Sequence, residues 1–260
     1  MHHWILLLGA GILCGFLNAA ASSGAAISLP LLLALGLPPV VANGTNRLPV
    51  LVGMATALWT LHRGRAIPWL FTLRLLPVFL TAAFAGAGLA ALLPMDQIRL
   101  LVHVAVVLAF LVLLLNPQRW LNDGVVLGAH DRPTAWLQFT MAGVGLWTGL
   151  IVIDAGIYLL ISLVLIGGLS TRQANAVKVV LIAVATVISL FVFIRDGDVD
   201  WASALPLMLG SALGGRLGGG LVLVSGARIW IYRLLVLAIS LEVVSMFWMW
   251  VHPSAYPLMM

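Results

Sequence analysis

The fold of this chain is restricted first by its long apolar runs, such as 75–94, which recur along the sequence with short polar segments between them. About 20 apolar residues in a row are what an α-helix needs to cross the hydrocarbon core of a bilayer. Charged residues make up only 8% of the chain, whereas soluble domains carry about 25%. The runs do not alternate apolar and polar residues as the strands of a membrane barrel do. The sequence therefore predicts an all-α, polytopic membrane protein that is surrounded by the lipid bilayer.

The chain also matches itself, without a gap, when it is shifted by 132 residues. Under this shift Gly36 falls on Gly168 and Asn43 falls on Asn175. A constant offset across many glycine, asparagine and tryptophan positions indicates two homologous repeats of about four hydrophobic blocks each. We predict an N-terminal transmembrane repeat (1–116), a linker (117–135) and a C-terminal transmembrane repeat (136–260).

The first block of each repeat, 4–37 and 136–169, is too long for a single span. Both blocks are interrupted, the first at 21–30 (ASSGAAISLP) and the second at 152–156 (VIDAG). We therefore expect a broken helix or a re-entrant hairpin at the start of each repeat. A block that turns back makes each repeat cross the membrane an odd number of times, so the two repeats would be inverted relative to each other. Inverted repeats are typical of secondary transporters, whose substrate site lies where the repeats meet.

The distribution of charge favours this inverted arrangement. It gathers most of the basic residues on one side of the membrane, and the positive-inside rule makes that side cytoplasmic and puts both termini outside. Because the 13 basic residues are scattered along the chain, the positive net charge does not indicate nucleic-acid binding. The cytoplasmic group is Arg63, Arg65, Arg119, Arg132, Arg172 and Arg228, and the outer group is Arg99, Arg195, Asp96, Asp196, Asp198 and Asp200.

Two cations inside apolar segments stand out because the repeat pairs them. Arg47 ends the stretch ANGTNR (42–47), and Lys178 ends the equivalent stretch ANAVK (174–178). In an inverted pair of repeats the two cations would converge, and they would hold a small oxyanion through charge-assisted hydrogen bonds. The alternative is that both side chains reach out to the membrane interface. The predicted substrate ligands are Arg47, Lys178, Asn43, Asn46 and Asn175, with a contribution from Thr45.

The breaks are the second part of the predicted site. A half-helix that begins inside the membrane offers free N–H groups and the positive end of its dipole to an anion. We therefore include Ser22, Ser23 and Gly24, and we also expect a helix to start near Ser28. Asp154 is the residue equivalent to Ser22; it is either a plain N-cap or a proton-coupling group that carries a proton with the substrate.

Three further features have structural interpretations. The glycine rows at 86–88 and 214–220 (GGRLGGG) predict close helix packing, since no strand or Walker lysine accompanies them. Cys14 is a single packing residue that permits no internal disulfide. The N-terminus is interpreted as the first membrane helix and not as a cleaved signal. No cofactor or metal is expected.

The stretch 15–46 (GFLNAAASSGAAISLPLLLALGLPPVVANGTN) resembles the sulfite exporter TauE/SafE family of membrane permeases. That family shows a Gly-rich break, a following Pro-Leu-Leu and then A-x-G-T-(S/N), which 30–32 and 42–46 match. The segment GGLSTRQANAV in the second repeat matches the same family pattern more weakly. The resemblance implies a permease of the bacterial inner membrane for a small sulfur-containing anion, such as sulfite, sulfoacetate or a similar organosulfonate. The breaks SSGAA and IDAG depart from the usual family pattern, which leaves the particular substrate open.

Other functions remain open at this point. One alternative is a transporter of another small anion, or of a neutral or cationic solute. The lack of an acidic counterpart to Asp154 in the first repeat argues against the neutral or cationic solute. An intramembrane enzyme based on the ASSG serines would need a histidine base at membrane depth, and only His103 lies inside a predicted helix. The sequence also leaves open whether a proton or sodium is coupled to transport.

Overall fold

The computed structural model describes residues 2–90, 95–115, 117–121, 131–150 and 155–251, and the described chain is helical throughout. By length and hydropathy alone, three of the described helices qualify as membrane spans: His3–Ala20, Trp69–Leu89 and Thr171–Arg195. The elements are α1 (His2–Ala20), α2 (Ala25–Ala34), α3 (Pro39–Arg63), α4 (Trp69–Ala90), α5 (Met95–Leu115), α6 (Pro117–Leu121), α7 (Ala135–Leu150), α8 (Ala155–Ile161) continued by a π-helical stretch (Ser162–Ile166), α9 (Thr171–Arg195), α10 (Trp201–Leu223) and α11 (Ala227–Val251).

Large apolar side chains cover much of the outer surface of the helices. Phe84 is 81% exposed, Leu115 is 76% exposed and Phe191 is 72% exposed. A protein in water rarely presents such a surface, whereas lipid chains are a suitable solvent for it. The expectation of an all-helical membrane protein is confirmed at this level.

The first predicted break is real but shorter than the sequence indicated. α1 ends at Ala20 and α2 already begins at Ala25, so the break covers only 21–24 and the expected helix start near Ser28 is wrong. The backbone N–H of Ser28 already bonds to the carbonyl of Gly24. The helix therefore continues through Pro30, which lies inside α2.

Glycines allow the closest helix pairs, in which α10 packs against both α1 and α3 and α4 packs against α7. A β-carbon at Gly214 on α10 would overlap the carbonyl of Ile12 on α1, and one at Gly149 on α7 would overlap that of Ala83 on α4. Such close backbone approach is possible only for glycine. The expected packing role of the glycine rows is confirmed for Gly86, Gly214, Gly215, Gly218 and Gly219, but Gly88 and Gly220 face open space.

α3 and α9 lie against each other at the centre and run in opposite directions. Near the start of α3, Thr45 Oγ1 accepts a hydrogen bond of 2.8 Å from the backbone N–H of Asp200, just beyond the end of α9. Near the start of α9, Arg172 donates over 2.6 Å to the carbonyl of Gly64, just beyond the end of α3. Each helix therefore begins beside the end of the other.

The two central helices also end in the same way. α3 ends at Arg63 and α9 ends at Arg195, and in each the second residue beyond has a left-handed backbone: Arg65 with φ of 50° and Gly197 with φ of 79°. The next N–H then bonds back into the last turn, from Ala66 to Leu61 and from Asp198 to Phe193. This is the Schellman arrangement, which satisfies carbonyls at a helix end.

Candidate functional site

The site is organised by the way in which α1 ends. The N–H groups of Ala21 and Ser22 both bond to the carbonyl of Leu17, at 2.6 Å each, and Ser22 takes a left-handed φ of 71°. The chain turns there, so the carbonyls of Asn18 and Ala19 lose the helical N–H donors that would follow. Both carbonyls are thereby released at the buried end of the helix, where they need another donor.

Lys178 of α9 supplies that donor. Its Nζ lies 3.0 Å from the carbonyl oxygen of Asn18, 3.0 Å from that of Ala19 and 2.9 Å from Oδ1 of Asn175. The Lys178 side chain is fully buried. Asn175 is held in place because its Nδ2 donates to the carbonyl of Thr171 over 3.1 Å. Since an ammonium has three donors, all of them are used by the protein in this conformation.

A chain of hydrogen bonds joins this end of α1 to the middle of α3. Ser28 Oγ lies 2.5 Å from Oδ1 of Asn46 and 3.3 Å from the carbonyl of Gly24. The N–H of Gly24 in turn donates to Oδ1 of Asn18 over 2.9 Å. The sulfur of Cys14 also contacts the group, because it accepts a hydrogen bond from Asn18 Nδ2 and lies 3.3 Å from Ser28 Oγ. The predicted residues Asn46, Gly24, Asn175 and Lys178 therefore belong to one connected polar network.

Two serines of the break have side-chain hydroxyls that bond to none of the described residues. The Oγ atoms of Ser22 and Ser23 are buried and have no partner among the described residues. The side chain of Ser22 lies against Gly156, where any β-carbon would overlap it. The first break thus touches the start of α8, so Ala155 and Gly156 of the second predicted break are already helical. Asp154 itself lies outside the described residues.

Arg47 is a second buried cation to which the described residues offer no counter-charge. Its side chain is 6% exposed, and its Nε has no hydrogen-bond partner in the described part of the chain. The guanidinium lies over the ring of Phe193, with Cζ 5.8 Å from the ring centroid. No described carboxylate forms an ion pair with it.

In this conformation Arg47 and Lys178 do not converge as expected. Arg47 lies beside Phe193 near the end of α9, whereas Lys178 lies near its start. At 1.5 Å per residue, about 22 Å of helix axis separates Lys178 from Phe193. Arg47 is also buried, so the alternative of reaching out to the interface does not describe it. The two cations thus occupy different levels of the central helix pair.

Two other predicted ligands differ in their surroundings. Thr45 is fully buried and uses its hydroxyl oxygen to hold the N–H of Asp200, which gives it a role in joining α3 to α10. Asn43 is half-buried on α3, one turn before Arg47. Asn43 is therefore free to take part in ligand binding, whereas Thr45 is committed to the protein.

Sequence reasoning missed Asn18, Ser28 and Phe193. A usable signal existed for Asn18, because an amide one turn before a predicted break in an apolar run is expensive unless it caps the break. Ser28 was noticed only as a helix start. Phe193 carried no signal, since its contact with Arg47 depends on the antiparallel course of α3 and α9.

Two surface cavities lie apart from this network. One of about 330 Å³ is lined by Trp59, Arg63 and Arg216 near the ends of α3 and α10. The other, of about 250 Å³, lies between α5, α7 and α8 beside Tyr158. Neither of these two cavities is lined by Arg47 or Lys178.

These observations define a multi-pass helical membrane protein with a buried polar site at a broken helix. The chain belongs to the sulfite exporter TauE/SafE family, whose family model matches residues 7–246. It is therefore a membrane permease by family.

The chain is similar over most of its length to curated proteins that are named as probable transporters. The probable membrane transporter protein YfcA of Escherichia coli K12 is 28% identical over 86% of this chain and 84% of its own length. The probable membrane transporter protein ORF9 of a Sinorhizobium species is 27% identical over 93% and 92%, respectively. A probable membrane transporter protein of Haemophilus influenzae is 28% identical over 85% and 86%. No solved structure matches the chain.

Proposed function

We propose that the chain is a secondary transporter that moves a small oxyanion by alternating access. The observation that carries this proposal is Arg47, a guanidinium that is buried without a hydrogen-bonded or charged partner among the described residues. A buried charge left unpaired costs several kcal/mol. An anion with two oxygens facing the guanidinium offsets this cost through charge-assisted hydrogen bonds.

The proposed substrate class is a small sulfur oxyanion, sulfite or an organosulfonate such as sulfoacetate. The family description supports sulfite, and the donors around the break are suited to several oxygens on a compact ligand. Ser22 and Ser23 offer buried hydroxyls that have no partner among the described residues. Asn43 and Asn46 lie on the same helix as Arg47. Lys178 adds positive charge to the site, and Asn175 holds the Lys178 ammonium in position. Neither offers a free hydrogen-bond donor to the substrate.

We also propose that two repeats build this transporter and that they are inverted. The bounds of α3 and α9 differ by 132 residues at both ends, and left-handed turns recur at the same offset, at Gly36 and Gly168. Under the 132-residue shift α1 corresponds to α7 and α4 corresponds to α10, so the pair α1–α10 is equivalent to the pair α7–α4. Equivalent helices that run antiparallel, as α3 and α9 do, are related by an axis in the membrane plane, as in transporters with inverted repeats.

Two contacts that hold the central helices support alternating access. Thr45 with Asp200 ties the start of α3 to α10, and Arg172 with Gly64 ties the start of α9 to the end of α3. These contacts lie at opposite ends of the pair, so opening one end at a time exposes Arg47 to one side at a time. In the proposed topology both termini are periplasmic in the bacterial inner membrane, and Asp154 is the candidate for proton coupling.

The test is uptake of labelled sulfite into proteoliposomes, with sulfoacetate, sulfate and a neutral solute as competitors. Arg47→Gln is expected to abolish uptake, whereas Arg233→Gln, which removes an exposed arginine stacked at 5.3 Å on Trp230, is expected to retain it. Full uptake by Arg47→Gln would contradict the proposed site. Competition by the neutral solute but by none of the anions would favour the neutral-solute alternative.

The remaining alternative from the sequence, an intramembrane enzyme, has no support in the site. Neither Ser22 nor Ser23 has a histidine base, or any other hydrogen-bond partner, among the described residues. The family and the relatives are transporters. The break serines are therefore better assigned to ligand binding than to nucleophilic attack.

A further inference from the structure

The surroundings of Lys178 have the composition of a cation site. Three oxygens surround Nζ of Lys178 at 2.9–3.0 Å. Two are main-chain carbonyl oxygens, of Asn18 and Ala19, and the third is the side-chain amide oxygen of Asn175. Carbonyls released at the end of a broken helix, together with the negative end of its dipole, are what transporters use to bind Na⁺ within the membrane. The point is fully buried, because Lys178 has no exposed surface.

Contacts that do not involve Lys178 hold the three oxygens in place. The carbonyls of Asn18 and Ala19 are released by the turn at Ser22, whose N–H bonds to Leu17 instead. The Asn175 amide is oriented by its own bond to Thr171, which points its oxygen at Nζ. Asn18 is fixed through its side chain by the N–H of Gly24. A site whose ligands are each held by separate contacts is preorganised for its occupant.

We propose that this is a monovalent-cation site whose permanent occupant is the ammonium of Lys178. The protein carries the cation covalently, in the place where a sodium-coupled transporter binds Na⁺ from solution. Under the proposed transport function, on which this consequence rests, the wild-type protein needs no Na⁺. The proposal also explains why Lys178 has no free donor for an anion although it is buried close to Ser22.

A simple capping role for Lys178 makes a different prediction. If Lys178 only caps α1, its own hydrogen bonds hold the three oxygens together, and they separate when the side chain is removed, so no small ion binds there. A tethered cation leaves behind a site of the right charge and spacing when its side chain is removed. Rescue by a free cation therefore distinguishes the two.

The experiment measures the melting temperature of purified full-length protein by tryptophan fluorescence, in ammonium, sodium or choline chloride at equal ionic strength. Choline is the control because it is too large for the site. In choline, Lys178→Ala is expected to melt several degrees below the wild type. Ammonium, whose size matches the observed N–O distances, is expected to restore at least half of the difference. Sodium is expected to restore a smaller part.

Two matched variants isolate the site. Arg172→Ala removes another cation that donates to a carbonyl beyond a helix end, but an exposed one, so its melting temperature should respond equally to the three salts. Lys178→Met fills the same space without charge and should not be rescued by any of them.

Several results would overturn the proposal. One is equal melting of Lys178→Ala in all three salts, and another is the same ammonium response in the wild type. Failure to recover Lys178→Ala even from ammonium-containing buffers also counts against it. Because the readout is stability, loss of anion transport in another experiment would leave this result unaffected, and the reverse is also true.

Discussion

The hydroxyl of Ser28 on α2 lies 2.5 Å from the amide oxygen of Asn46 on α3. This bond joins the short helix after the break to the residue that precedes Arg47. Since Ser28 is fully buried and Asn46 is 5% exposed, water does not replace the bond if it is lost. The position of Arg47 is therefore coupled to the geometry of the broken helix.

Removing this bond should destabilise the protein measurably. Ser28→Ala leaves a buried amide oxygen unsatisfied, at a cost of about 1–3 kcal/mol. A double-mutant cycle of Ser28→Ala with Asn46→Ala, followed by chemical unfolding in detergent, is expected to show coupling. Ser189→Ala is the control, because that hydroxyl bonds only to a carbonyl of its own helix, Thr186. Purely additive effects at Ser28 and Asn46 would contradict the bond.

Thr45 should behave as a structural residue and not as a substrate ligand. Its hydroxyl oxygen accepts from Asp200 N–H over 2.8 Å, so Thr45→Val should cost stability and change the maximal rate of transport. Thr45→Ser keeps the oxygen and should resemble the wild type. The half-saturating substrate concentration is expected to stay within about twofold in both, which corresponds to roughly 0.4 kcal/mol in binding. A rise of tenfold or more in Thr45→Ser would return Thr45 to the substrate site.

The burial of Lys178 can be checked chemically because it is the only lysine in the chain. An amine-specific reagent should modify the N-terminus of the folded protein but leave the peptide that contains Lys178 unmodified, since its side chain has no exposed surface. After denaturation both should react. Mass spectrometry of the digested protein reads the two positions separately. Rapid modification of Lys178 in folded protein would show that the polar network opens to water.

Two glycines of α10 with different surroundings allow the role of glycine packing to be tested within a single helix. Gly214 and Gly220 both lie on α10, but only Gly214 faces the backbone of α1. Gly214→Ala should lower stability by about 1–3 kcal/mol through overpacking, whereas Gly220→Ala should be neutral or slightly stabilising because alanine favours the helix. Melting temperatures of the two variants give the comparison. Equal losses would mean that α1 and α10 are not in close contact.

The sequence was sufficient for those parts of the structure that local chemistry determines. Apolar length identified a helical membrane protein, and the Ser-Ser-Gly stretch located the break after α1. The length of that break was overestimated, since Pro30 was taken as a boundary although the helix already starts at Ala25. Pro30 lies in the second turn of α2, where its missing N–H and its ring weaken a helix without always ending it.

The site could be predicted only as a set of residues and not as a geometry. The repeat singled out Arg47 and Lys178, but their separation depends on how far along the antiparallel pair each lies. That Lys178 bonds to Asn18 and Ala19, which lie nearly 160 positions earlier in the chain, follows from tertiary packing that a single sequence does not encode locally. The role of Arg47 beside Phe193 has the same origin.

The pairing of α1 with α10 has a consequence for how the protein is made. α1 leaves the ribosome long before α10, the helix that covers its glycine face, which lies in the last quarter of these 260 residues. The contacts are highly non-local, and non-local contacts form late in folding. A product that stops at the linker would carry both α1 and α4 without their partners α10 and α7. The final helix arrangement must therefore be reached in the membrane after most of the chain has been synthesised, and not helix by helix during insertion.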